Sequence, residues 1–104
     1  MIPEDTLTAL IRSQSKANLQ NTFMRLTDKE VAVSIRRLDE EIRDNVLNIL
    51  PPGKSERIRE EMRLLKGRIR VPETKYLQII NHVIAVLQGR SRGNVSSYIK
   101  PKKK

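Results

Sequence analysis

Apolar residues recur at helical spacing in six stretches of this chain, separated by short polar or proline-bearing breaks. Leu7, Leu10 and Ile11 form the first stripe. Pro3, Glu4 and Asp5 ahead of it suit a first helical turn, because proline lacks only an N–H that is unpaired there and the acids complement the helix dipole. A second helix is predicted over 16–25, with Leu19, Phe23 and Leu26 inward. Thr27-Asp28-Lys29-Glu30 has the form of a capping box, hydroxyl and carboxylate reciprocally satisfying exposed N–H groups, and opens a third helix with Val31, Ile35 and Leu38 inward. Asp39 is the predicted cap of a fourth, which buries Ile42, Val46, Leu47 and Leu50. Pro51-Pro52-Gly53 ends it, since a residue before proline is pushed out of the helical region. The fifth, over 54–66, places Ile58, Met62 and Leu65 on one face, with Gly67 as a left-handed C-cap. Pro72 stands at the start of the sixth, whose stripe Tyr76, Ile80, Val83, Ile84 and Leu87 is flanked by Ile79 and Val86. So wide a stripe predicts a central helix.

These elements predict an all-α fold, a compact right-handed stack of about six short helices packed side by side in the armadillo manner. At 104 residues the chain has room for one domain and no second core. Its aromatics are Phe23, Tyr76 and Tyr98, so the core must be aliphatic, which suits packed helices better than a sheet. Without cysteine there is neither a disulfide framework nor a thiolate zinc site. The N-terminus shows no basic segment followed by an apolar run. The most apolar stretch, 76–87, contains Gln78, Asn81 and His82 and is too short to span a bilayer, so a soluble cytoplasmic chain is expected.

The net charge of +9 changes the picture only once it is located. Residues 1–89 hold 15 Lys and Arg against 12 acids, while Arg90, Arg92, Lys100, Lys102, Lys103 and Lys104 face no acid at all. The chain therefore divides into a nearly balanced helical domain, 1–89, and a basic tail, 90–104, whose composition predicts a flexible appendage. Such a tail suits solubility, or weak contact with acidic lipid, nucleic acid or an acidic protein patch.

Enzymatic chemistry finds no constellation here. His82 is the single histidine and has no acid within one turn, so it reads as a partly buried or surface residue and not as a base or metal ligand. Glu40-Glu41 and Glu60-Glu61 are neighbours in sequence, and adjacent residues on a helix point in different directions. Gly53-Lys54-Ser55 lacks the upstream glycine and strand of a phosphate loop. No metal, cofactor or small-molecule substrate is expected.

Four segments carry a more specific pattern: Val31-Ala32-Val33-Ser34-Ile35-Arg36, Ile42-Arg43-Asp44-Asn45-Val46-Leu47, Arg59-Glu60-Glu61-Met62 and Gly67-Arg68-Ile69-Arg70-Val71. Their order and spacing resemble the C-terminal torque domain of the bacterial flagellar motor switch protein FliG, from Phe23 to about Gly89. In that family a helix displays charges toward the stator's cytoplasmic loop, and electrostatic contact drives rotation. On the apolar frame, the family's basic residue after an alanine-leucine pair falls on Arg36. Its arginine after a leucine falls on Arg43, as a brace of the fold, and its acid pair falls on Glu60-Glu61. The arginine of its glycine-proline-valine-arginine turn falls on Arg70, with one inserted residue between Met62 and Gly67. The chain departs from the family at Pro51-Pro52-Gly53, where Gly53 stands opposite a basic residue and Lys54 is the nearest substitute. Arg68 replaces the turn proline, and the sixth helix carries fewer charges than usual.

The resemblance implies a non-enzymatic interaction module at the cytoplasmic face of the basal body. Arg36, Lys54, Glu60, Glu61 and Arg70 would meet the stator loop or another switch-complex protein. A chain of this length has no room for the family's N-terminal and middle domains, which points to a diverged stand-alone paralogue. The other function class open to the sequence is a small basic helical protein that binds nucleic acid through its tail; it lacks interleaved aromatics and a clear recognition helix. Removal of residues 90–104 is expected to abolish most nonspecific affinity for duplex DNA while leaving helicity and melting unchanged, as filter binding and circular dichroism on the two chains would record.

Overall fold

The computed structural model describes residues 2–67 and 71–89, and among these the predicted helices are α1 (Pro3–Ser13), α2 (Lys16–Arg25), α3 (Asp28–Ile35), α4 (Glu40–Ile49), α5 (Pro52–Gly67) and α6 (Glu73–Leu87). Their ends follow local chemistry. Pro3 occupies the first turn of α1, and the Ser15 hydroxyl accepts from the Asn18 N–H to cap α2. The capping box of α3 is complete, with Glu30 N–H donating to Thr27 Oγ1 at 3.0 Å and Thr27 N–H to Glu30 Oε1 at 2.9 Å. Asp39 takes the N-cap place of α4, but its carboxylate makes no capping hydrogen bond. Leu50, held extended ahead of Pro51, stops that helix. α5 begins two residues earlier than expected, at Pro52, because proline is tolerated in a first turn. Gly67 is its last helical residue, and the left-handed cap predicted there depends on residues outside the described ones. Past α6 the chain turns at Gly89, whose φ of 79° is the left-handed conformation that glycine enters without steric cost.

The centre of the fold is α3. Val31, Ala32, Val33, Ser34 and Ile35 are all fully buried, so this helix shows no solvent face over more than a turn, and it packs against both α5 and α6. Ser34 is accommodated because its hydroxyl donates to the Val31 carbonyl at 3.0 Å. The sixth helix is less central than its stripe suggested. Tyr76, Ile80, Val83, Ile84 and Leu87 are buried and Ile79 and Val86 are half-buried against the core, but Gln78, Asn81 and His82 face solvent. The wide stripe is needed because α6 contacts α1, α2 and α3 together. Met62, expected inward, is half-buried, and Leu38 is buried in the turn after α3.

Contact between α1 and α6 closes the stack on itself, where an open solenoid would hold its first and last helices apart. A polar cluster fastens this closure. The buried Tyr76 donates its hydroxyl to Glu4 Oε2 at 2.6 Å, and the Arg37 guanidinium lies 3.9 Å from the Tyr76 ring centre while pairing with Glu73 at 3.0 Å. Burial, reinforced by the Glu4 carboxylate, raises the Tyr76 hydroxyl pKa, and the hydrogen bond from Tyr76 lowers that of Glu4. Gln14 Nε2 adds a bond to the Leu87 carbonyl at 2.9 Å, tying the end of α1 to the end of α6.

Ile80 is fully buried, so Ile80→Ala should cost about 2–5 kcal/mol, a large part of a small domain's stability. Urea unfolding followed by circular dichroism checks the loss.

Candidate interaction surface

The acid pair lies on α5, whose core stripe is set by Ile58 and Leu65. At ~100° per residue Glu60 falls ~200° from Ile58, on the outer face. Its side chain is 54% exposed, and its carboxylate accepts from Arg63 one turn on. Glu61 sits half-buried on the flank and makes no ion pair among the described residues. Arg57, whose i,i+4 spacing suited Glu61, turns away to place Nε 2.9 Å from Asp28 Oδ2. Glu60 is thus held only weakly, since exposed pairs of this kind contribute ~0.2–0.5 kcal/mol, and Glu61 has no such hold among the described residues.

Lys54 behaves differently from the displayed cation expected of it. Its side chain is 8% exposed, and its ammonium sits 2.8 Å from Asp28 Oδ1 and 2.7 Å from the Leu26 carbonyl. The expectation of a partner-facing Lys54 is therefore corrected: Lys54 is an internal strut joining the start of α5 to the turn before α3. The physical reason is the long flexible stem, which lets the ammonium reach the half-buried Asp28 carboxylate from the start of α5. The hydrogen bond from Lys54, with Arg57 assisting, holds the Asp28 carboxyl below the usual aspartate range.

Arg36 is half-buried at the end of α3, and its side chain has no ion-pair partner among the described residues. The Arg43 guanidinium donates to the carbonyls of Arg36 at 3.2 Å and Leu38 at 3.1 Å, which braces the α3–α4 turn as expected. Arg70 and the tail residues Arg90, Arg92, Lys100, Lys102, Lys103 and Lys104 lie outside the described residues.

One feature escaped the sequence reading. Between α4 and α5 runs an open groove of about 570 Å³, with Leu47 and Met62 as its apolar floor. The α5 wall carries Arg59, Arg63 and Lys66; the α4 wall carries Glu40, Arg43 and Asp44, and Arg36 stands at the α3 end. Each wall repeats at i, i+3, i+4 and i+7, which was legible in the sequence, but nothing in the sequence said that the two stripes face one another. Among the described residues, no group of His, Asp and Glu could hold a metal ion, and no helix is long and apolar enough to cross a membrane. The lone histidine, half-exposed, has Nε2 3.6 Å from Glu30 Oε2, a surface contact.

Comparison with known families decides the class of the molecule: the FliG C-terminal domain matches residues 6–89, most of the chain. The chain belongs to that family. Among the described residues the chain has six helices and no strand, in keeping with the helical fold of the family, and the match extends the resemblance back from Phe23 through α2 and most of α1. No curated protein and no solved structure matches the chain. The FliG C-terminal domain is a part of the flagellar rotor and switch, so this class of protein is where the charges of α5 are to be understood.

Removing the Asp28 carboxylate would leave the Lys54 ammonium buried with only a carbonyl partner, so Asp28→Ala should cost about 3 kcal/mol at neutral pH. Because the folded-state pKa of Asp28 is depressed, the pair's contribution is complete above the ordinary aspartate range and is lost as pH falls from there through the lower folded-state value. The stability gap between wild type and variant should therefore narrow below roughly pH 4. Denaturant titrations of both proteins from pH 7 to pH 3 check this.

Proposed function

We propose that this domain is a non-enzymatic rotor-type interaction module that meets a charged stator loop, or another switch-complex protein, through Glu60, Glu61 and Arg36. Arg70 joins the set by its place in the family pattern. Lys54 is left out, because its ammonium is internal. The observation that carries the reading is the outer face of α5: Glu60 is half-exposed, Glu61 is unpaired among the described residues, and the helix beneath them is anchored to α3. Exposed charges on a rigid helix suit long-range steering of a charged partner, since they remain hydrated and cost little to present. Family membership supports a partner among the flagellar motor proteins and a position on the cytoplasmic side of the motor.

Contacts of this kind act mainly on the encounter rate and weaken with salt. Reversal of both acids, Glu60→Lys with Glu61→Lys, should keep helicity and melting close to wild type. It should slow association with a stator-loop fragment on the order of ten-fold at low ionic strength, an effect that shrinks as salt rises and is partly restored by reversing the opposing charge on the partner. Stopped-flow association at several salt concentrations measures all three. Unchanged association at normal protein level would reduce Glu60 and Glu61 to a solvated face.

A further inference from the structure

We infer that the groove between α4 and α5 is a second docking site, which takes an acidic amphipathic segment of a partner protein, separate from the Glu60–Glu61 face. The two surfaces have opposite character. On α5, Arg59, Met62, Arg63 and Lys66 form one stripe, and at ~100° per residue Glu61 lies on the far flank from it. A partner seated in the groove therefore approaches from the α4 side.

The charges of the groove are available for a partner. Arg59 and Lys66 have no ion pair or hydrogen bond to another side chain among the described residues, and Arg63 is held only by the exposed Glu60. Arg36 adds a third cation without an ion pair among the described residues, at the α3 end. Glu40 and Asp44, on the opposite wall, are likewise unpaired among the described residues, so the charges of the two walls do not neutralise one another through ion pairs. Its field is thus asymmetric, cationic along α5 and mixed along α4. An acidic edge directed at α5 and a neutral or basic edge directed at α4 complement it. A uniform polyanion does not, because Glu40 and Asp44 repel phosphates on that side.

The floor fixes the rest of the chemistry. Leu47 and Met62 offer apolar contact that a phosphate backbone or free anion does not use, and half-buried Met62 is a flexible thioether that adapts to an incoming side chain. From Arg59 to Lys66 the wall is ~10 Å long, about two helical turns, so one apolar residue per turn reaches the floor. Residues 90–104 are an unsuitable occupant, being basic without a single acid.

The test uses the full chain at physiological salt and a 14-residue helical peptide with leucines at i, i+4 and i+7 and glutamates along one edge. Titration into the isotope-labelled protein should shift amide signals of 40–47 and 59–66 and leave those of 73–87 in place. In fluorescence anisotropy, Arg59→Glu with Lys66→Glu should weaken binding at least ten-fold, while Lys16→Glu with Lys75→Glu, an equal charge reversal at exposed positions outside the groove, leaves it within two-fold. Replacing the peptide leucines by serine should weaken binding at least ten-fold as well. Absence of shifts at the groove, equal binding by the serine peptide, or duplex DNA or phosphatidylserine vesicles displacing the peptide from the same residues would overturn the inference. So would shifts that grow with protein concentration without peptide, which would mean that a second copy fills the groove.

Discussion

The burial of α3 is the constraint on which the remainder of this domain depends. A helix of eight residues with Val31, Ala32, Val33, Ser34 and Ile35 all withdrawn from water cannot hold itself together in solution, since short isolated helices are marginal. It must be covered on every side, and α5 and α6 supply that cover directly while α1 closes over α6. The small residues Ala32 and Ser34 let neighbours approach closely, and the one hydroxyl this brings inside is satisfied within the helix. The ends of α3 are secured by polar groups: the Thr27–Glu30 box at its start, and Arg43 on the carbonyls at its finish.

That arrangement explains why α5 can serve as a display element. One side of it is locked to α3 by Ile58 and Leu65, and its first turn is pinned by the Lys54–Asp28 pair and the Arg57–Asp28 contact. A helix fixed by apolar burial on one face and by a buried ion pair at one end presents the other faces in a defined orientation. The acids of the outer face and the bases of the groove wall thus hold constant directions relative to the core, although individual surface pairs such as Glu60–Arg63 contribute little energy. The residues that anchor α5 are different from those that carry its exposed charges.

The Tyr76 cluster plays the corresponding part at the opposite end of the molecule. Glu4 comes from α1, Arg37 from the turn after α3, and Glu73 and Tyr76 from α6, so three segments distant in sequence meet around one aromatic ring. The hydroxyl is buried and satisfied, and the cation above the ring is satisfied by Glu73. Such a cluster converts the closure of the stack from loose apolar contact into a specific register between α1 and α6.

The sequence by itself determined the helices, most of their inward positions and the capping box, because apolar periodicity and cap chemistry act within a few residues of one another. It also carried the resemblance to the family, which the match over residues 6–89 bears out. Spacing along α5 allows both Glu60 with Arg63 and Arg57 with Glu61, but of these only the first pair forms, because Arg57 meets Asp28 of another helix. Lys54 was misread for the same reason: whether a long cationic side chain points out or in is settled by which carboxylate lies across the fold, and Asp28 is separated from it by most of two helices. The α4–α5 groove belongs to that class too. Each of its walls is a legible helical stripe, yet only packing decides that Leu47 and Met62 meet at its floor and that Arg59 and Lys66 look across at Glu40 and Asp44, because the angle between two helices is set by the side chains they both bury.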